Sequence, residues 1–279
     1  MTTIGWIGAG AMGANMATKL IEAGYTVKVY DQIPQKLDPL LNIGALPAKT
    51  PFEAAENADM VFSVVTDDKA SDEVWLGETG AIRGLKKDAL AVECSTLSLE
   101  QCDKLKNEIA KQANAAFGTA PVVGNYLNAQ KGELIVLLGG DSQFCQNLEP
   151  LLARIATQTI HVGSASQAMA LKLVITASIS VQLLLHSHLK AFLRQKDMNE
   201  AILQRFDNLP FTSGVAGILN EVTASGETDK QIPLNLVKKD LGNLIANLDD
   251  QNAQTKELIT AARHIYTQAN TMEELLSTR

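Results

Sequence analysis

The chain has 279 residues, 46 % apolar and 20 % charged, enough for one large or two ordinary domains with a sizeable core. Lys and Arg number 24 against 31 Asp and Glu; the net charge of −7, without any basic run, argues against a nucleic-acid partner, which would need basic surface. The 3 cysteines, Cys94, Cys102 and Cys145, form no CxxC pair, so neither a disulfide framework nor a zinc site is expected and a reducing, cytoplasmic setting fits.

MTTIGWIGAG has no basic stretch before an apolar one, so no signal peptide is expected. Residues 4–7 read as a strand that ends in GAGAMG (Gly8, Gly10, Gly13). The segment ANMATKLIEAG follows at helical spacing and closes on Gly24. TVKVYD alternates as a strand should and ends at Asp31. The strand, turn, helix and strand make one βαβ unit, and the outline repeats. Residues 52–57 read as helix, 59–65 as strand, 69–76 as helix, 90–94 as strand and 99–112 as an amphipathic helix. Such alternation predicts a parallel, doubly wound α/β sheet.

Beyond Phe117, TAPVVGN reads as a second glycine-containing turn, ELIVLL as a strand, 144–155 as a helix, and TQTIHVG as a last strand ending at Gly163. From there on only helical periods occur, over 167–196, 200–207, 214–223, 234–248 and 254–271. The expected division is therefore an α/β domain over 1–162 and an all-helical domain over 163–279.

The glycine turn sits where dinucleotide binding requires it: after a strand, opening a helix, with an acid closing the next strand. Gly8 allows the tight turn, Gly10 a close backbone approach to a pyrophosphate, and Gly13 close helix packing, while the helix N-terminus receives the phosphates. Ala9, Ala11 and Met12 complete the loop. The carboxylate of Asp31 suits the ribose hydroxyls of NAD and repels a 2′-phosphate, and no Arg or Lys follows before Lys36, so NAD is expected over NADP.

The run AMALKLVITASISVQLLL over 168–185 is apolar on nearly every face and carries one charge, Lys172. Thr176, Ser178, Ser180 and Gln182 interrupt it and it stands alone, so a buried helix is expected rather than a membrane span. Burial would lower the lysine's pKa and suit it to proton transfer. The same residue, near the helix start, is also compatible with snorkelling to solvent. No metal site is expected: His186 and His188 are spaced two apart and face different sides of a helix, and the pairs Asp67–Asp68 and Asp249–Asp250 read as solvated acids. His161 is assigned no chemistry. GxxxxGK[ST], HExxH and GxSxG are all absent.

GWIGAGAMGANMATKLIEAGYTVKVYD resembles the N-terminus of the β-hydroxyacid dehydrogenases, the group of 3-hydroxyisobutyrate dehydrogenase and tartronate semialdehyde reductase. VVTDDKASDEVWLG is similar to the segment after that family's fourth strand. ECSTLS resembles its DxSTxxP turn, APVVGN its DAPVSGG, HVGSASQAMALK its HxGxxGxGxxxK, and LVKKDL its KDL element. The resemblance implies a Rossmann-type domain joined by a long helix to a helical domain, with the active site in the cleft and Lys172 as catalytic lysine. It further implies cofactor contacts from Gly8–Gly13, Val65, Thr66, Thr96 and Lys239, a small-molecule substrate held by Val123, Gly124, Asn125 and Thr176, and a homodimer or homotetramer.

At the substrate end the chain departs from the pattern. Val123 stands for the family's Ser, Asn125 for its last Gly, and Thr176 for its Asn one turn after the lysine. Losing a hydrogen bond to a charged group costs about 1.5–3 kcal/mol, or ten- to a hundredfold in hydroxy-acid binding. Ser166 and Ala168 replace two glycines and are expected to narrow the backbone's approach to the substrate. Thr176 still shares a helical face with Lys172. These departures keep two alternatives open. One is an imine or ketone reductase, against which Lys172 counts; the other is a dinucleotide-binding redox sensor without turnover.

Overall fold

The computed structural model describes residues 2–112, 115–224 and 226–276. In chain order it begins β1 (Thr3–Ile7), α1 (Ala11–Glu22), β2 (Thr26–Tyr30), α2 (Asp38–Leu41), β3 (Leu46–Pro47), α3 (Pro51–Ala55) and β4 (Met60–Ser63). There follow α4 (Asp68–Leu76), β5 (Leu90–Glu93), α5 (Leu99–Gln112), β6 (Ala116–Thr119), β7 (Val122–Val123), α6 (Tyr126–Lys131), β8 (Leu134–Gly139), α7 (Ser142–Leu152) and β9 (Ala156–Gly163). The rest is helical: α8 (Ala165–Gln195), α9 (Glu200–Asp207), α10 (Ser213–Ala224), α11 (Thr228–Gln231), α12 (Leu234–Ala246), α13 (Ala253–Gln268) and α14 (Met272–Leu276).

The strands form one sheet in the order β3-β2-β1-β4-β5-β6-β8-β7, with β9 beside β8. From β3 to β6 every pairing is parallel. The chain leaves β1 toward β2 and returns to its other side as β4, so the order reverses at β1, where open α/β sheets bind their ligands.

The sheet is parallel and doubly wound as far as β6; beyond it, β8 runs antiparallel to both β6 and β7, a reversal the strand-and-helix alternation did not indicate. Only residues 124–133 separate β7 from β8, fewer than the dozen or so that a parallel crossover needs, and α6 within them turns the chain back. The segment read as a plain turn thus holds the strand β7.

Alternation along the strands divides the core in two. Trp6, stacked on Phe62 at 5.3 Å, packs with Val29, Val92 and Leu138 on one face. Ile7, Val61 and Ala91 pack with Trp75, Leu105 and Met169 on the other.

Two compact units emerge, Met1–Lys172 and Leu173–Arg279. The division falls inside α8 rather than at its start, because the first turns of that helix belong to the sheet: Thr119 Oγ1 donates to the Ala165 carbonyl at 2.8 Å and Met169 is fully buried. The second unit has its own core of Ala177, Leu183, Leu234, Val237, Leu241 and Tyr266, whose hydroxyl donates to the Ser180 carbonyl at 2.8 Å. By length and composition alone α8 is able to cross a membrane, and 39 % of its most apolar window is buried in protein.

Candidate active site

At the end of β1, Gly8 takes φ +99° and its amide donates to the Tyr30 carbonyl at 2.8 Å, which ties the turn to β2. A Cβ at Gly8 would stand 2.1 Å from the Val64 carbonyl oxygen, and one at Gly13 would stand 2.2 Å from that of Gly8. Over Gly10 a Cβ would meet nothing within 4 Å, and no side chain caps the N-terminus of α1. The turn is therefore packed hard on its inner side and open on the side where the amides of α1 point, a cradle that fits a pyrophosphate.

Asp31 is buried, and both of its oxygens are engaged. Oδ2 accepts from the Ala9 amide at 2.7 Å and Oδ1 from the Ile33 amide at 2.9 Å. Lys36, distant in the chain's spacing, comes to 3.9 Å from Asp31 Oδ1. The acid thus shapes the glycine loop, and its charge is shared with a cation.

Val65 and Thr66 follow β4, and the Val65 amide donates to Ser95 Oγ at 2.8 Å. Thr66 is exposed and its hydroxyl donates to Asp67. The Asp67–Asp68 pair, read as solvated, has structural work: Asp67 caps α4 by accepting from the Ala70 amide, and Asp68 accepts from the Ser98 amide at 2.9 Å. That second bond brings the β4 and β5 loops together. Thr96, half-buried, lies between Ser95, whose amide donates to Glu93 at 2.8 Å, and Leu97, whose amide meets Met169 Sδ at 3.3 Å. Lys172 is half-buried one turn beyond Met169 on α8.

At the substrate end, Asn125 caps α6 and completes a capping box. Its side chain accepts from the Asn128 amide at 3.0 Å, and its own amide donates to Asn128 Oδ1 at 2.8 Å. The backbone donor that the family match assigns to a substrate anion is here taken by Asn128. Gly124 is exposed with φ +136°, and Val123 is half-buried. The Ala168 methyl is fully buried against Gly139 and lies in the core. The Ser166 hydroxyl bonds to Asp103. Thr176 and Lys239 belong to the second unit; Thr176 is half-buried on α8 and Lys239 Nζ stands 3.1 Å from Asp240 Oδ1.

Two features escaped the sequence. The first is Glu93, fully buried, which accepts from Ser71 Oγ at 2.7 Å and Trp75 Nε1 at 2.9 Å. The second is in the other unit, where His186, read as solvated or packing, is buried against Asp207 at 2.9 Å and stacked on Phe206, and Lys190 closes on the same carboxylate. A surface groove of about 580 Å³ along α13, lined by Asp249, Lys256 and His264 among others, holds none of the expected site residues. The thiols are sequestered, and burial pushes that of Cys102 up to about 12.

A sheet that reverses at β1, with an open glycine cradle there and an acid closing β2, defines a Rossmann-type domain that binds a nicotinamide dinucleotide. Residues 3–163 match the model of the NAD-binding domain of 6-phosphogluconate dehydrogenase. The chain belongs to the β-hydroxyacid dehydrogenase family and is an NAD(P)-dependent oxidoreductase. It is 27 % identical to 3-sulfolactaldehyde reductase of Escherichia coli over 96 % of this chain and 90 % of that one. It is 28 % identical to the chloroplastic glyoxylate/succinic semialdehyde reductase 2 of Arabidopsis thaliana, over 95 % of this chain and 74 % of the other. Among solved structures, 3-hydroxyisobutyrate dehydrogenase of Mycobacterium tuberculosis with L-serine superposes with a TM-score of 0.83 at 23 % identity, covering 96 % and 93 % of the two chains.

Proposed function

We propose that the protein transfers a hydride between NAD and the carbon of a small hydroxy acid or semialdehyde, with Lys172 as the acid and base. The nicotinamide, when bound, supplies or accepts the hydride. The chain's part is to hold the dinucleotide and move the proton. Lys172 Nζ gives a proton to the developing alkoxide in reduction and takes the hydroxyl proton in oxidation.

One observation carries this reading. A continuous series of contacts within the first unit runs from the glycine turn through Val64 and Val65 to Ser95, and through Leu97 and Met169 to the turn of α8 that bears Lys172. The proton-transferring group is thereby built onto the same loops that receive the dinucleotide. Thr176 and Lys239 enter as substrate and cofactor contacts on the strength of the family motifs they match.

NAD is preferred because the Asp31 carboxylate repels a 2′-phosphate, although Lys36 at 3.9 Å softens the repulsion. A carboxylate substrate is gripped more weakly than by the family's usual serine, since Val123 offers no donor and Asn128 holds the Asn125 amide. The working form is a homodimer or homotetramer joined through the helical unit, a reading supported by its exposed Leu185, Phe192 and Phe211. Free, buried cysteines suit a cytoplasmic setting.

Titrating the protein with NADH and NADPH, then screening hydroxy acids, semialdehydes, ketones and cyclic imines, tests the proposal. Tighter NADH binding and turnover of an acid or its semialdehyde support it. Tighter NADPH binding refutes the Asp31 argument, turnover of imines alone refutes the substrate class, and binding without turnover of any of these refutes the enzyme in favour of a sensor.

A further inference from the structure

Glu93 ends β5 on the face of the sheet that packs against α4 and α5, and none of its surface is exposed. Everything that touches its carboxylate donates. Oε1 accepts from the Ser95 amide at 2.8 Å; Oε2 accepts from Ser71 Oγ at 2.7 Å and from Trp75 Nε1 at 2.9 Å; the Ser95 hydroxyl adds a further bond. A glutamine is not equivalent here. Whichever way its amide turns, the NH₂ group faces an N–H, that of Ser95 or that of Trp75.

Burying a carboxylate is costly even when it is satisfied, and burial pushes this one above the usual carboxylate range. An apolar side chain would fill the same core space beside Trp75 without that cost. What an apolar side chain would not do is fix the loop that follows. Ser95, held by Glu93, accepts from the Val65 amide at 2.8 Å; Leu97 is held by Met169 Sδ at 3.3 Å and Ser98 by Asp68 at 2.9 Å. Thr96 thus sits between tethers on both sides, and the Val65–Thr66 turn is joined to the same network. The glycine turn packs against Val64 and Val65, but the hydrogen bonds that hold it and Asp31, from Gly8 to Tyr30 and from Ala9 to Asp31, involve none of these residues.

We infer that Glu93 is a positioning residue for the nicotinamide half of the site: through Ser95 it sets Thr96 and the Val65–Thr66 turn against α8 one turn from Lys172, and leaves the adenosine and pyrophosphate half to the glycine turn. The inference rests on the function proposed above. Its signature is a selective loss, since damage confined to one half of the site spares a ligand that reaches only the other half.

The test compares NADH with ADP, which carries adenosine and pyrophosphate but no nicotinamide, on Glu93→Gln and Ser95→Ala. The second variant keeps the buried carboxylate and its bonds from the Ser95 amide, Ser71 and Trp75, and removes only the Ser95 hydroxyl that joins Val65 to Glu93, so it reports even where Glu93→Gln does not fold. Both variants, where folded, are expected to bind NADH about tenfold more weakly, the effect of about 1.4 kcal/mol from misplaced hydrogen bonds, and ADP within about twofold of wild type. Kcat is expected to fall as well at saturating NADH. Equal losses for NADH and ADP, or no loss for either in Ser95→Ala, overturn the inference while wild-type binding leaves the proposed function standing. Wild-type protein that binds neither ligand overturns both.

Discussion

Gly10 and Gly13 lie in one turn and look interchangeable as glycines, but alanine at each should fail in a different way. At Gly13 the new methyl would stand 2.2 Å from the Gly8 carbonyl oxygen and 3.3 Å from Val64 Cβ, with backbone rather than a flexible side chain in its path. Ordinary contact needs about 3.4 Å or more, so α1 has to move away from β1 by roughly 1 Å, an overpacking of about 1–3 kcal/mol or more. For a chain of this size that lowers the melting temperature by about 2–4 °C per kcal/mol. At Gly10 the methyl meets nothing within 4 Å and φ is −68°, so any L-residue fits; the only loss is a modest helix-capping preference. The space it fills is where a pyrophosphate approaches the amides of α1. Gly10→Ala should therefore melt within about 1–2 °C of wild type yet bind NADH at least about tenfold more weakly, and Gly13→Ala should melt early. Thermal melts beside NADH fluorescence titrations separate the two effects. If Gly10→Ala binds NADH as wild type does, the open side of the turn is not the pyrophosphate site and the reasoning fails.

Restoring the missing anchors with Val123→Ser and Asn128→Ala, which frees the Asn125 amide, should raise kcat/KM for a hydroxy acid about tenfold or more; unchanged kinetics would show that these groups do not set substrate choice. The same Asn128 change also breaks the capping box, so a stability loss of about 1 kcal/mol should accompany it. The Lys86 side chain beside Asp59, and next the Thr3 amide, hold that carboxyl below the usual carboxylate range. A depressed carboxyl stabilises the fold above its unfolded pKa of about 3.9 and loses that contribution as pH falls through its folded value. Acid melts should accordingly show a decline below about pH 4 that Asp59→Asn makes shallower, and identical curves would refute the assignment. In the second unit, Asp207→Asn leaves buried His186 and half-buried Lys190 without their shared anion, so an unfolding loss of about 3 kcal/mol is expected from denaturant titration, and a loss below about 1 kcal/mol would mean that solvent screens the cluster.

The first part of the fold was readable because its signals are local. Glycines at fixed spacing, alternation in TVKVYD and helical periods up to Gln112 each depend on neighbours in the chain, and β1, β2, β4 and β5 appeared where those patterns lay, whereas the two-residue β3 had no pattern to announce it. The reversal at β8 was not readable, since strand direction is set by the short residues 124–133 link and by partners far away in sequence. Residue roles divided in the same way. The glycine turn carries its own geometry, whereas the engagement of Asn125 by Asn128 looks like any polar loop until the capping box is seen. Asp67 and Asp68 offered no sign that one caps α4 and the other tethers Ser98. Glu93 was legible as the start of ECSTLS and nothing more, because its donors, Ser71 and Trp75, come from a helix about twenty residues earlier.

The central claim is that Lys172 moves the proton. It is tested most directly by single-turnover kinetics of Lys172→Ala with NADH and the best semialdehyde found in the screen, beside NADH titration of the same variant. The account predicts NADH binding within about threefold of wild type and a hydride-transfer rate lower by about 10²–10⁴-fold. A rate within about threefold of wild type would contradict it and return the lysine to an ordinary place on the helix.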